Sequence, residues 1–166
     1  MGAADVEVRA EPGRAKRVRV ECGDYEVLIE VRPRAQPPEA PSPSLALVLD
    51  QTHRGYSPTL ERYAPAAVEI HEVGGVGLAE PIKVGARTYR HPAADDYDVL
   101  RLLESLSKRF ASTVFITGDK TLSEEAKLLK SAKGLNVSVF YMPPSDYPGK
   151  EAVVQAILDR VREALH

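Results

Sequence analysis

The chain has 166 residues and a formal net charge of −2, with 43% hydrophobic and 28% charged residues. That is enough for one full domain with a small appendage, and it excludes a globally basic nucleic-acid binder. Any positive field has to be local or supplied by metal ions.

The only cysteine, Cys22, excludes an intrachain disulfide, and no CxxC or other zinc spacing occurs. The first ten residues, MGAADVEVRA, have no basic stretch followed by an apolar one, so no secretory signal is expected. Val6 stands where myristoylation after Met-Gly requires Ser or Thr. No apolar run approaches the roughly 18 residues of a membrane span. The expectation is a cytoplasmic protein with no membrane partner. Frequent arginine, 13 prolines and a single asparagine, Asn136, lean towards a thermophile.

Residues 1–34 read as a β-rich extension, a hairpin or three-stranded meander. Val6 and Val8 alternate with acids, Arg17 to Cys22 alternates strictly, and Tyr25 to Arg32 follows the turn pair Gly23-Asp24. So small a β unit should pack on the main domain or on a second copy, the latter giving a homodimer through these strands. Residues 35–44 fall in a proline-rich stretch, PRAQPPEAPSPS from Pro33, which reads as a linker.

The main domain is expected over 45–166. Leu45 to Leu49 is an uninterrupted apolar run, as in a parallel strand buried on both faces, and it ends on Asp50. Ser57-Pro58-Thr59 opens a helix through Tyr63, closed by Pro65. Val68 to Val73 alternates like a second strand, and 74–92 is glycine-rich without a clear pattern. Asp95, Asp96 and Asp98 precede an amphipathic helix to about Phe110. Val114 to Ile116 is a third strand, and Leu122 to Lys133 a helix stopped by Gly134. Leu135 to Tyr141 is a fourth strand, and a last helix spans about Lys150 to Leu165. Strands alternating with helices predict an α/β domain in three layers around a parallel sheet.

Ligands bind such sheets outside the carboxyl ends of the strands. Asp50 and Asp119 end two of these strands. A right-handed crossover brings the acidic start of the helix at 95–98 to the same edge. Carboxylates gathered from three places suit a hard cation such as Mg²⁺ or Mn²⁺. Each also has a plain structural reading, as turn residues for Asp50 and Asp119 and as helix caps for Asp95, Asp96 and Asp98. His53, His71 and His91 show no HxH or HExxH spacing. The basic run Arg14 to Arg19 could touch RNA, but acidic neighbours in the same segment favour a solvated strand face.

The segments LALVLDQT, ADDYDVLRLLESL, VFITGDKTLSEEAKLL and GLNVSVFYM follow one another in an order that resembles the PIN-domain nucleases. The resemblance covers roughly 45–142 and is best over 95–130. It implies a PIN-like domain whose metal-binding acids are Asp50, Asp96 and Asp119, with Thr117 orienting Asp119. Glu80 stands in the region from which the family takes a further glutamate, and Asp98 is a second acid on the same helix start. Asp50-Gln51-Thr52 replaces the family's usual Asp-Thr-Asn or Asp-Thr-Ser. The implied activity is endonucleolytic hydrolysis of RNA with Mg²⁺ or Mn²⁺ as cofactor. Arg54, Lys120 or Arg90 would hold phosphates, and Tyr56 would stack on a base. The alternative is a non-catalytic α/β binding or assembly module with a degenerate acidic site. VLDQT and VFITG also resemble the first two motifs of haloacid dehalogenase-like phosphohydrolases. That family needs an Asp where Thr52 stands, and the reading is set aside.

Overall fold

In the computed structural model, residues 16–31, 42–74 and 77–166 are described. The strand expected around Val6 and Val8 and most of the proline-rich stretch lie outside them. The chain divides into two compact units, 1–40 and 41–166.

The first contains an antiparallel hairpin of β1 (Lys16–Cys22) and β2 (Tyr25–Val31), turning at Gly23-Asp24. Val18 is opposite Ile29 and Val20 opposite Val27, so alternation gathers these apolar residues on one face. On the other face Arg17 pairs with Glu30 at 3.6 Å and Arg19 with Glu26 at 2.5 Å.

The second unit is an α/β domain of three layers. Its strands are β3 (Leu45–Leu49), β4 (Val68–Val73), β5 (Ile82–Lys83), β6 (Thr88–His91), β7 (Ser112–Thr117) and β8 (Val137–Tyr141). They form one six-stranded sheet in the order β5-β6-β4-β3-β7-β8, parallel throughout except for β5. The glycine-rich region without a readable pattern therefore holds two short strands. β5 turns back on β6 through Val84 and Gly85, whose N–H groups both bond Thr88 O, at 2.9 and 3.2 Å.

The helices are α1 (Ser57–Tyr63), α2 (Asp96–Arg109), α3 (Lys120–Lys133) and α4 (Lys150–Leu165). β4 is added on one side of β3, and β8 on the far side of β7. Right-handed crossovers then put α1 and α3 on opposite faces. α2 crosses from β6 to β7 in the direction that α3 takes to β8, so α2 and α3 share a face.

The strand β3 serves both layers because its side chains alternate. Leu45, Leu47 and Leu49 join Ile70, Ile116, Leu60, Ile157 and Val161 in the α1/α4 core. Ala46 and Val48 join Phe115, Val99, Leu103, Leu106 and Leu122 in the α2/α3 core. All of β3 is fully buried, which accounts for its unbroken apolar run.

Arg87 ties α1 to the β5-β6 turn. Its guanidinium donates to the carbonyls of Glu61 at 2.6 Å, Ala64 at 3.2 Å, Pro65 at 2.5 Å and Val68 at 2.9 Å. Two of those carbonyls belong to the end of α1, where no intrahelical donor remains. Among the described residues no helix is long and apolar enough to cross a membrane.

Candidate acidic site

From β3 the chain continues to β4 on one side, while its other neighbour, β7, leads on to β8. The edge between β3 and β7 is thus the topological switch point, where open parallel sheets form their crevice. The register pairs Leu49 with Ile116, so the next residues, Asp50 and Thr117, lie side by side. Both follow residues of the α1/α4 face and so point to the α2/α3 face.

A cleft of about 220 Å³ opens there, lined among others by Asp50, Asp95, Asp96, Asp119, Gln51 and Thr52. Asp96 and Asp119 reach it from the starts of α2 and α3. The three acids expected from the sequence therefore share one cleft, with Asp95 added. Asp95 belongs to the acidic helix start that the sequence placed at this edge.

Asp50 is 5% exposed and held by donors on both oxygens. Its Oδ1 accepts from the Thr52 hydroxyl at 2.5 Å and the Thr52 N–H at 2.9 Å. Oδ1 also lies 3.3 Å from His53 Nδ1. The Thr117 hydroxyl donates to Oδ2. Burial alone would raise the Asp50 carboxyl pKa, but His53, Thr117 and Thr52 stabilise the anion and hold it below its ordinary value of 3.8.

Thr117 was expected to orient Asp119. Its hydroxyl instead serves the Asp50 carboxylate and accepts the backbone N–H of Asp119 at 2.9 Å. Asp119 caps α3, its Oδ1 accepting from Leu122 N at 3.0 Å. Asp95 caps α2 by accepting from Asp98 N at 3.1 Å, and Asp98 returns a contact to Ala94 N at 2.8 Å, a reciprocal capping arrangement. Asp96 has no hydrogen bond or ion pair among the described residues.

A second chamber of about 720 Å³ adjoins the first and shares Gln51, Ala93 and Ala94 with it. Arg54 and Asp98 line this chamber, and the Arg54 guanidinium donates to the carbonyl of Gly74. The Gln51 side chain lies over Gly74, where a Cβ would come within 2.5 Å of its Cγ. Gly74 also has φ +95°, which L side chains rarely adopt. Glu80 is exposed on the segment before β5 and does not line the cleft. Lys120 is exposed at the start of α3, beside Asp119. The Tyr56 ring lies away from the cleft lining, 5.9 Å from the His53 ring and 5.9 Å from Lys150 Nζ. Arg90 pairs with the buried Glu72 at 2.8 Å, beside a separate 340 Å³ hollow on the α1 side.

The three histidines do not gather around Asp50. Only His53 reaches it, while His71 Nδ1 lies 2.8 Å from His91 Nε2 between β4 and β6. Glu69 Oε1 is 3.1 Å from His71 Nε2, yet that nitrogen makes no well-aligned hydrogen bond. Burial, with the positive charges of His91 and Arg109, pushes the His71 pKa down to about 3. Burial and Arg109 lower that of His91 as well.

No protein-family model, curated protein or solved structure matches this chain. Its function has to be argued from the cleft.

Among the described residues, no three His, Cys, Asp or Glu side chains stand close enough to hold a metal ion. The donor chemistry nonetheless suits a hard divalent cation. Four carboxylates with no lysine or arginine among them line one cleft, and like charges so placed repel unless a cation lies between them. Asp96 is unbound among the described residues, and no hydrogen bond is seen there to Asp119 Oδ2. Asp96 can turn without breaking a hydrogen bond seen here, whereas Asp119 keeps Oδ1 on the cap of α3 and has Oδ2 to offer. The residues that would hold the ion are Asp50, Asp96 and Asp119.

Proposed function

We propose that the chain is a PIN-like, metal-dependent endoribonuclease. One observation carries the reading: the cleft at the switch point is lined by Asp50, Asp96 and Asp119 together. RNA as the polymer, and hydrolysis of its phosphodiester as the reaction, rest on the resemblance of 95–130. A bound Mg²⁺ or Mn²⁺ would supply charge neutralisation and an activated water. The protein's own part is to keep Asp50 anionic and fixed through Thr52 and Thr117, and to present Asp96 and Asp119 beside it. Arg54, in the adjoining chamber, would hold a neighbouring phosphate. Lys120, at the start of α3, would serve the same end. Tyr56 would need to leave His53 and Lys150 to stack on a base.

The test uses purified protein, single-stranded RNA and Mn²⁺. The expected result is cleavage abolished by EDTA and lost in Asp119→Asn, and cleavage unchanged in that variant would refute the assignment. A second reading, a non-catalytic binding or assembly module, is favoured by the lack, among the described residues, of three carboxylates within metal-holding distance. It predicts no cleavage and no Mn²⁺ binding by calorimetry. Under either reading the protein works in the cytoplasm, where a lone thiol stays reduced. The apolar face of the β1-β2 hairpin would pair with that of a second copy, which sedimentation of the full chain can check.

A further inference from the structure

Four backbone and side-chain contacts form a closed circuit at the floor of the cleft. The Thr117 hydroxyl bonds Asp50 Oδ2. Asp50 Oδ1 meets His53 Nδ1 at 3.3 Å. His53 Nε2 donates to the Met142 carbonyl at 2.8 Å. The Met142 N–H closes the loop on the Thr117 carbonyl, also at 2.8 Å. The circuit joins the carboxyl ends of β3, β7 and β8.

His53 touches two other members of it from opposite edges of its ring. Its ring is fully buried, packs against Tyr56, and places Nε2 against the Met142 carbonyl and Nδ1 against Asp50 Oδ1. Nε2 fixes the ring on the backbone just past β8. Nδ1 then lies against Asp50 Oδ1 and 2.8 Å from the Thr52 hydroxyl that bonds the same oxygen. A surface histidine at this position would give Asp50 no fixed orientation, because its ring could turn. Here it cannot turn without losing the Met142 carbonyl, which would then be left as a buried acceptor without a partner.

We propose that His53 is a positioning residue for Asp50, acting as a strut that transmits the place of the β8 end to the carboxylate. It does not itself face the cleft. The proposal rests on the reading of Asp50 as a ligand to the catalytic cation, since the orientation matters only if Asp50 serves the cleft. Partners that orient a metal-binding group are typically worth about 10 to 100-fold in metal affinity or activity.

Two variants separate the two ends of the strut. Asparagine places its amide nitrogen near the Nδ1 position and can still donate to Asp50, while losing Met142. Glutamine reaches the Nε2 position and can still donate to Met142, while losing Asp50. Both give up the ring, so both lose similar packing. His53→Asn should keep its Mn²⁺ dissociation constant within about 3-fold of wild type. His53→Gln should weaken it about 10-fold or more, with a thermal midpoint no lower than that of His53→Asn. Equal Mn²⁺ affinity in the two variants would overturn the proposal.

Two outcomes lie outside that comparison. If the unaltered protein binds no Mn²⁺, the nuclease reading fails. The strut is then judged from a crystal structure of His53→Gln, where an unmoved Asp50 carboxylate overturns it and a turned one supports it. If neither variant folds, a crystal structure of the unaltered chain soaked in Mn²⁺ decides. Asp50 still against His53 Nδ1 with the ion bound supports the strut, and Asp50 swung away overturns it.

Discussion

Thr117 reaches from the end of β7 to Asp50 at the end of β3, two residues 67 positions apart whose side chains the pleat sets on one face. The threonine methyl could be kept by any β-branched residue, but the hydroxyl could not. Thr117→Val should therefore lower stability by about 1–3 kcal/mol in urea unfolding, because it leaves a buried carboxylate oxygen without its donor. RNA cleavage should fall with it, and Thr117→Ser should restore most of both. Valine with wild-type stability would show that Asp50 does not depend on this bond.

Asp119 carries two duties that substitution can separate. As the cap of α3 it needs only an oxygen acceptor, and asparagine caps a helix about as well as aspartate. Asp119→Asn should leave the unfolding free energy within about 0.5 kcal/mol, whereas Asp119→Ala should cost about 1 kcal/mol. Cleavage should be lost in both. If Asp119→Asn keeps full activity, the residue is a cap and nothing more.

Gly118 sits where a Cβ would come within 2.8 Å of the Thr52 hydroxyl and 3.3 Å of Pro144. Its N–H also donates to that hydroxyl at 3.0 Å. Gly118→Ala should push Thr52 off Asp50, costing about 1–3 kcal/mol of stability as overpacking does. A crystal structure of the variant should show the Thr52 side chain displaced. An unmoved Thr52 with full stability would contradict the tight approach.

The pair His71 and His91 makes acid costly. His71 has a folded-state value of about 3 against an ordinary 6.5, and that of His91 is lowered too. Below pH 6.5 the unfolded chain takes up protons that the folded one refuses. Stability present above pH 6.5 is therefore lost as the pH falls towards about 3, by up to about 1.4 kcal/mol per pH unit per group. Asp50, held below 3.8, adds a further loss only at the acid end of that window. His71→Phe should flatten unfolding free energy against pH between about 6 and 4, and an unchanged slope would remove His71 as the cause.

Arg87 should be hard to replace. Its four backbone acceptors need the planar fork of a guanidinium, and lysine cannot reach them all. Arg87→Lys should cost about 2–3 kcal/mol in chemical denaturation, and a loss below about 0.5 kcal/mol would show the fork to be dispensable.

The sheet was legible wherever a strand is buried on both faces. Leu45 to Leu49 and Val114 to Ile116 announce themselves by unbroken apolarity, and Gly134 ends α3 where it was expected. β5 and β6 were not legible, because β5 has two residues and is held by the turn at 84–88 rather than by its own pattern. The acids could be placed by strand ends and helix starts. Their support could not. His53 gains its meaning from Met142, 89 positions later, and no local pattern encodes that distance. The Thr-x-Asp spacing suggested that Thr117 serves Asp119, whereas the pleat turns its hydroxyl to Asp50.

The circuit through Met142 also sets when the cleft can exist. During synthesis Asp50 emerges early, but the carbonyl that fixes His53 arrives only once β8 has left the ribosome and joined β7. Closing so long a loop makes a non-local contact, of the kind that slows folding. A nascent chain ending before Met142 would hold all of its acids and still lack the means to fix the first of them. The cleft thus cannot be completed before β8 is made.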